Sequence, residues 1–434
     1  MTTRPERSDP IRIPIAIAAL LLGPLLQVAG GQDDPGPLAS DPRFEATLTE
    51  GPAVTGRIRS LSPSGGVTLV VEEGEEREID AGTLVKLSRE GLHPIEDGAD
   101  AAVLVFPGFE RIRGIIDSAD ERAIAIRSPI LGELEVPLEA VLGFTTGPSS
   151  DPSATNRTIR ALIEATRTSD LLLLENGDRR EITFSAMTTD EISYRDADRA
   201  LRLPRRTVRA IGLDPGLVQY PEPDPPALDL LLTDGSRIRL LESRSEGGRL
   251  AGRTAFGAEV DLSLGHVSEL YALSDSIVYL SDQQAAREVT IPYVGPRRPV
   301  APNGSVIGGP LVVGGRTYVR GLGTQSRSLL AYRLGPDDRR FQARVAMDDA
   351  AGPRGNVVFR VLVDGEERFA SPPMPAGAEP IPIDVDLSGG RFLILATDFG
   401  RGGGVRDYAA WIEARLIRSK PSPGEEPEPE SVGN

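Results

Sequence analysis

The side chains most often used for covalent and metal chemistry are scarce in this sequence: histidine occurs twice, at His93 and His266, and cysteine is absent. Without thiolates no sulfur-built zinc site can form, and two distant histidines leave little from which to assemble a Ser-His or Cys-His pair or a His-rich metal site. His93 stands in the linker pattern Gly91-Leu92-His93-Pro94 and His266 in a strand-and-turn pattern, so each reads as an ordinary imidazole. Carboxylates are plentiful, with 64 Asp and Glu against 48 Lys and Arg and a net charge of −16. Two of them could hydrolyse a glycosidic bond if they stood roughly 5 to 9.5 Å apart across it. That chemistry needs a large scaffold, and no segment is long and helix-rich enough for the barrel most such enzymes use. Gly321 and Gly323 form a Gly-x-Gly, but no helix follows, so they read as close-approach backbone positions rather than a phosphate cradle. The acidic balance argues against nucleic acid, because only the pairs Arg205-Arg206 and Arg297-Arg298 lack interleaved acids.

The elements that would position such residues begin after a leader. Arg4, Arg7 and Arg12 precede an apolar run from Ile13 to Val28, broken by Pro14, Gly23 and Pro24 and followed by Ala29-Gly30-Gly31. This predicts a signal peptide over residues 1–31 and export to the periplasm or beyond. The run is shorter than the roughly 20 residues that span a bilayer, so no stable membrane span is expected. Export normally permits disulfides; here packing alone must stabilise the fold.

A chain of 434 residues with 39% apolar content favours several small cores over one large one. Residues 44–95, 101–146, 155–213 and 227–273 read as four divergent copies of one β unit. Each opens with a hairpin and continues with alternating strands and a short closing stretch. Asn176-Gly177 and Asp234-Gly235 are strong hairpin turns, since both residue types accept positive φ. The fold class predicted is all-β: an array of small SH3/Sm-like barrels of about five strands, followed by a C-terminal sandwich. A helix over Thr155–Arg167, with Ile159, Leu162 and Ile163 on one face, is predicted to pack against a neighbouring unit. Linkers are expected at 96–100, 147–153 and 220–226, and the Pro/Glu-rich tail at 419–434 has almost nothing to bury.

From Val306 to Ile417 short apolar runs alternate with turns at Gly314-Gly315, Asp337-Asp338, Asp364-Gly365 and Gly389-Gly390, the spacing of a β-sandwich. This region also carries ordered motifs: Gly321-Leu322-Gly323-Thr324-Gln325-Ser326, Phe341 to Asp349, Val357 to Gly365, Pro382 to Gly389 and Asp407-Tyr408-Ala409-Ala410-Trp411. With Tyr279-Leu280-Ser281-Asp282 upstream, residues 279–418 resemble the NPCBM family of carbohydrate-binding modules. The resemblance implies a galactose-binding-like jelly roll whose end loops receive a sugar.

Sugar binding needs planar polar groups that pair with vicinal hydroxyls, usually beside an aromatic face. At the family's motif positions the candidates are Gln325, Asp348, Asp349, Asp407 and Tyr408, with Asp398 and Arg401 nearby. Calcium is the one cofactor the resemblance admits. Trp411, the only tryptophan, sits inside the final strand pattern, where a core role outweighs ring stacking. Family members usually carry histidine where this chain has Gln325, and Asp-His-Ala-Asp-Trp where it has Asp407 to Trp411, so an altered sugar site is implied. The expected function is that of an exported, non-catalytic carbohydrate binder, with protein partners open to the N-terminal units. The alternatives are a scaffold whose sugar site is lost and an accessory part of a glycoside hydrolase.

Overall fold

The computed structural model describes residues 42–419 except 64, 93–100, 109, 149–151, 165–166, 222–224 and 294. The expected signal peptide, His93, the linker at 96–100 and the tail beyond 419 lie outside the described residues. The first unit is built from strands Arg43–Leu48, Val54–Leu61, Val67–Val70, Glu76–Ile79 and Leu84–Arg89. Each of the first three pairs with the next, and the fifth returns to pair antiparallel with the first. The second unit repeats this connectivity with Ala102–Val105, Arg111–Ala119, Ala123–Ser128, Gly132–Pro137 and Gly143–Thr145. The third uses Asp170–Leu174, Arg179–Met187, Glu191–Asp196, Arg199–Pro204 and Val208–Gly212. The fourth uses Ala227–Leu232, Arg237–Glu246, Arg249–Thr254, Glu259–Ser263 and Val267–Leu273.

Local chemistry explains the repetition. In the hairpin turns Asn176 and Asp234 each accept from the backbone N–H two residues on, at 3.0 and 2.8 Å, and Gly177 and Gly235 follow with φ of 93° and 84°. Each long second strand carries a register shift, at Ile58/Ser60, Ile116/Ser118, Phe184/Ala186 and Leu241/Arg244. Such bulges bend a strand so that it can serve both sides of a small barrel. At Gly56 and Gly114 an added Cβ would stand 2.7 and 2.5 Å from the carbonyl oxygens of Val70 and Arg127, so the bend admits no side chain there.

The units associate out of sequence order. The fifth strands of units one and four pair antiparallel, Leu87 opposite Leu270, and those of units two and three do the same, Phe144 opposite Ile211. Their apolar faces merge into one cluster running from Phe44 to Ala272. The helix, Pro152–Glu164, starts earlier than the sequence suggests because proline fits the first helical turn, where its missing N–H is no loss. Ile159 and Leu162 pack on Val103, Val105, Leu173 and Ala210, sealing the junction of units two and three.

The C-terminal sandwich has two sheets. One runs Ala301–Pro302, Gly321–Gln325, Tyr408–Arg418, Asp338–Met347, Ile381–Asp386, with Ile277–Tyr279 also on the long Tyr408–Arg418 strand. The other runs Arg287–Thr290, Ser328–Arg333, Phe392–Phe399, Asn356–Val363, Glu366–Ala370, with Met374–Pro375 joining Asn356–Val363. Trp411 is fully buried between them, edge-on to Phe359 at 5.2 Å and donating from Nε1 to Thr397 Oγ1 at 3.1 Å. No helix among the described residues is long and apolar enough to cross a membrane.

Glu110, buried where the second and fourth units meet, accepts from the Arg239 backbone N–H at 2.7 Å and from the Tyr220 hydroxyl. Burial pushes its carboxyl from 4.5 up to about 7, against the pull of those two donors. The folded state therefore holds this proton more tightly than the unfolded chain. The contribution is full below the unfolded value and is lost as pH rises towards 7, a fall of about 3 kcal/mol. Denaturant titrations of Glu110→Gln at pH 5 and pH 8 should lack that fall; a decline identical to the parent's would assign it elsewhere.

Candidate functional site

The motif residues gather at one end of the sandwich, but their side chains do different work. Gln325 and Tyr408 are directly opposite on adjacent strands, and the Asp348 N–H donates to the Tyr408 carbonyl at 3.0 Å. Asp407 is 2% exposed; it accepts from Ser326 Oγ at 2.6 Å and from the Asn356 N–H at 2.9 Å, tying three loops together. Asp348 caps the short 3-10 segment Asp349–Arg354 by accepting from the Ala350 N–H at 2.9 Å. Burial raises the carboxyls of both Asp348 and Asp407, and these hydrogen bonds only partly offset it. Asp349 turns to the Leu311–Val313/Arg316–Tyr318 hairpin and accepts from the N–H groups of Gly314 and Gly315 at 2.9 and 2.8 Å. These three carboxylates hold loops in place.

A cation site requires oxygen lone pairs turned to one point. Here the carboxylates of Asp349 and Asp407 each meet two donors and Asp348 caps a turn, and no cluster of three or more metal-ligating side chains occurs among the described residues. The arrangement does not fit calcium.

Besides these carboxylates, this end carries the buried Gln325, the partly exposed Tyr408 and residues the motifs did not flag. Pro296 and Arg298 lie at this end: Gln325 Nε2 donates to the Pro296 carbonyl at 3.4 Å, and the Arg298 guanidinium lies 6.0 Å from the Tyr408 ring centroid. Tyr293 is 70% exposed, edge-on to Phe399 at 5.8 Å, and packed against Gly403 and Gly404. An added Cβ would stand 3.3 Å from the Tyr293 ring at Gly403 and 3.1 Å from the Tyr293 Cβ at Gly404, so both glycines let Tyr293 pack close to that turn. Asp398 is held between Arg327 at 3.4 Å and Arg360 at 3.7 Å. The Arg401 N–H donates to Asn356 Oδ1 at 2.8 Å. The sequence signal for Tyr293 was an aromatic in a Pro/Gly/Arg loop, which by itself points to no chemistry.

At the other end of the Gly321–Gln325 strand, the sandwich is welded to units one and four through buried charge. Arg320, fully buried, pairs with Asp229 of unit four and with Asp282 at 2.6 Å, and lies 4.3 Å from the Tyr279 ring centroid. Lys86 of unit one pairs with Glu413 and lies 3.6 Å from Glu269, all three nearly inaccessible. Burial alone would raise the Glu413 carboxyl, but Lys86, Arg344 and Arg415 together hold it well below the usual carboxylate range.

Residues 276–417 match the NPCBM/NEW2 domain. The matched segment is about a third of the chain and takes in the whole sandwich, including the strand Ile277–Tyr279. Over 114 residues the chain is 33% identical to a curated protein of Renibacterium salmoninarum bearing the name of an endo-alpha-N-acetylgalactosaminidase. That alignment covers 26% of this chain and 8% of the relative. Among solved structures, a CBM51 module of a Clostridium perfringens GH95 protein in complex with methyl-galactose is 24% identical. It covers 32% of this chain and 99% of that one, with a TM-score of 0.30. The CBM51-2 and INT domains of Clostridium perfringens ZmpB, in complex with GlcNAc, are 22% identical over 39% of this chain and 36% of that chain, also at TM-score 0.30.

Proposed function

We propose that this is an exported, non-catalytic carbohydrate-binding protein whose NPCBM/NEW2 sandwich receives a sugar at the Tyr293 end. The observation that carries this reading is the exposed Tyr293 ring, packed on Phe399 and lying in sequence just before Pro296, which meets Gln325, and Arg298, which meets Tyr408, inside the matched domain. An aromatic face covers the apolar side of a pyranose while planar amide and guanidinium groups address its hydroxyls. The basic leader pattern ahead of residue 31 supports export. The relative's name supports a second reading, an accessory part of a glycoside-cleaving system.

Glycan-array screening of the protein should identify a neutral saccharide. Tyr293→Ala should then weaken it by about 1–2 kcal/mol, roughly five- to thirty-fold, with the melting temperature unchanged because the ring is mostly exposed. Gln325→Ala should cost binding a similar amount. Glycan binding that survives Tyr293→Ala intact would sink this location; an array with no hits would favour the scaffold alternative.

A further inference from the structure

A cleft of about 570 Å³ opens where the helix Pro152–Glu164, units two and four and the sandwich loop 302–310 meet. Helical spacing puts Asn156, Ile159, Arg160 and Ile163 on one face of the helix, and that face borders the cleft. Asn156 is 8% exposed, and its amide meets no hydrogen-bond partner among the described residues. Buried amides are normally paired, so one left open towards a cavity marks a place for a partner. On the sandwich side Asn303, at φ of 53°, donates its N–H to the Gly321 carbonyl at 2.8 Å and accepts from the Gly321 N–H through Oδ1 at 3.2 Å. Those bonds fix the side chain and leave Nδ2 outside them. Arg160 Nη1 donates to the Ser305 carbonyl at 2.6 Å, pinning the helix to the loop, so the cleft is formed before any ligand arrives.

The charged groups around the cleft are already engaged. Arg239 grips Asp229 through two nitrogens at 2.6 and 3.0 Å, and Asp282 takes Arg320 at 2.6 Å. Glu110 accepts from the Tyr220 hydroxyl and the Arg239 N–H, while Arg111, Arg160 and Arg237 all have partners. The unspent groups are the planar amides of Asn156, Asn303 and Gln283, which call for a neutral ligand. We propose that the cleft is a second saccharide site, taking a neutral sugar. The saccharide half of this assignment rests on the sugar-binding reading; the neutrality rests on the cleft alone. An amide offers donor and acceptor in one plane, the complement of adjacent hydroxyls. Ile163, 43% exposed, and the rings of Pro107, Pro221, Pro302 and Pro310 supply apolar surface for the C–H faces of a sugar. Prolines carry no N–H, so an incoming peptide strand would find no ladder of donors on them. The cleft is distinct from the Tyr293 end: Asn303 meets Gly321, whereas Gln325 closes the opposite end of the same strand.

Glycan-array screening of the full chain, Asn156→Ala and Tyr293→Ala separates the two sites. A set of neutral glycans should survive Tyr293→Ala and be lost from Asn156→Ala, whose melting temperature should match the parent's because the amide has no partner to lose. Calorimetric titration with the strongest of that set should show saturable binding that sodium chloride does not move and that Asn156→Ala weakens roughly tenfold or more. If Asn156→Ala fails to fold, Gln283→Ala, at an exposed position, should still weaken the same glycan severalfold. An array in which no glycan depends on Asn156 or Gln283 overturns the cleft, and glycans lost only from Tyr293→Ala would leave the Tyr293 reading standing. Hits that depend on Asn156 but not on Tyr293, with none of the converse, would support the cleft and count against the Tyr293 location. Asn156-dependent hits confined to acidic glycans overturn the neutral assignment. Saturable binding of an oligoproline peptide that Asn156→Ala abolishes overturns the saccharide.

Discussion

Replacing Arg320 with alanine is expected to cost about 3–5 kcal/mol, because it leaves the carboxylate of Asp229 buried without one of its two cations. Asp229 is fully inaccessible; burial would raise its carboxyl, yet Arg239 and Arg320 together hold it below its ordinary value. Arg239, at 2.6 Å, remains in the variant, but the bridge from unit four to Asp282 does not. Urea denaturation should therefore show both a lower midpoint and a separate melting of the sandwich from the four barrels. The double variant Arg320→Met/Asp229→Leu should recover only part of the loss, since it removes the Arg320–Asp229 pair but leaves Arg239 without the carboxylate it meets at 2.6 Å. A single cooperative transition of unchanged midpoint in Arg320→Ala would show that the bridge contributes nothing to docking.

Glu413→Gln should be comparably damaging, at about 3–5 kcal/mol, and should change how the protein responds to acid. With its carboxyl held below the ordinary 4.5, the folded state binds this proton less readily than the unfolded chain. Stability from Glu413 is thus fully present above that unfolded value and is lost as pH falls through the folded value. The parent should destabilise steeply below pH 4.5, and Glu413→Gln, already weakened at pH 7, should have a shallower acid limb. Parallel acid limbs in the two proteins would move the titration to another group.

These two residues also mark where the sequence stopped being informative. Asn176-Gly177 and Asp234-Gly235 made the barrel copies legible, because a turn's φ requirement is written in adjacent residues. The pairing of unit one with unit four was not: Leu87 and Leu270 are separated by the whole of units two and three, and either would suit any buried β edge. Glu413 stands in the final strand pattern after Trp411 with nothing in its neighbours to mark it. A bulge there, with φ of 50°, breaks the alternation and turns the side chain towards Lys86, and no local pattern announces it. At the sandwich end the motif located the loops correctly in space, but residue type could not say that Asp349 and Asp407 are occupied with backbone N–H groups. Tyr293 lies outside every motif and acquires meaning only from its exposure and its neighbours.

The nested association of the barrels has a mechanical consequence. Because unit one touches both unit four and the sandwich, the first and last described strands sit in one block, while units two and three form a side branch of the chain. A pull between residue 42 and the end of the Tyr408–Arg418 strand would load the strand pair Leu84–Arg89/Val267–Leu273 and the Lys86–Glu413 contact first, in shear. The inner barrels would carry no tension until that block gave way. Drag on a ligand held at the sandwich would accordingly be resisted first by its contacts with units one and four, with units two and three unloaded behind them.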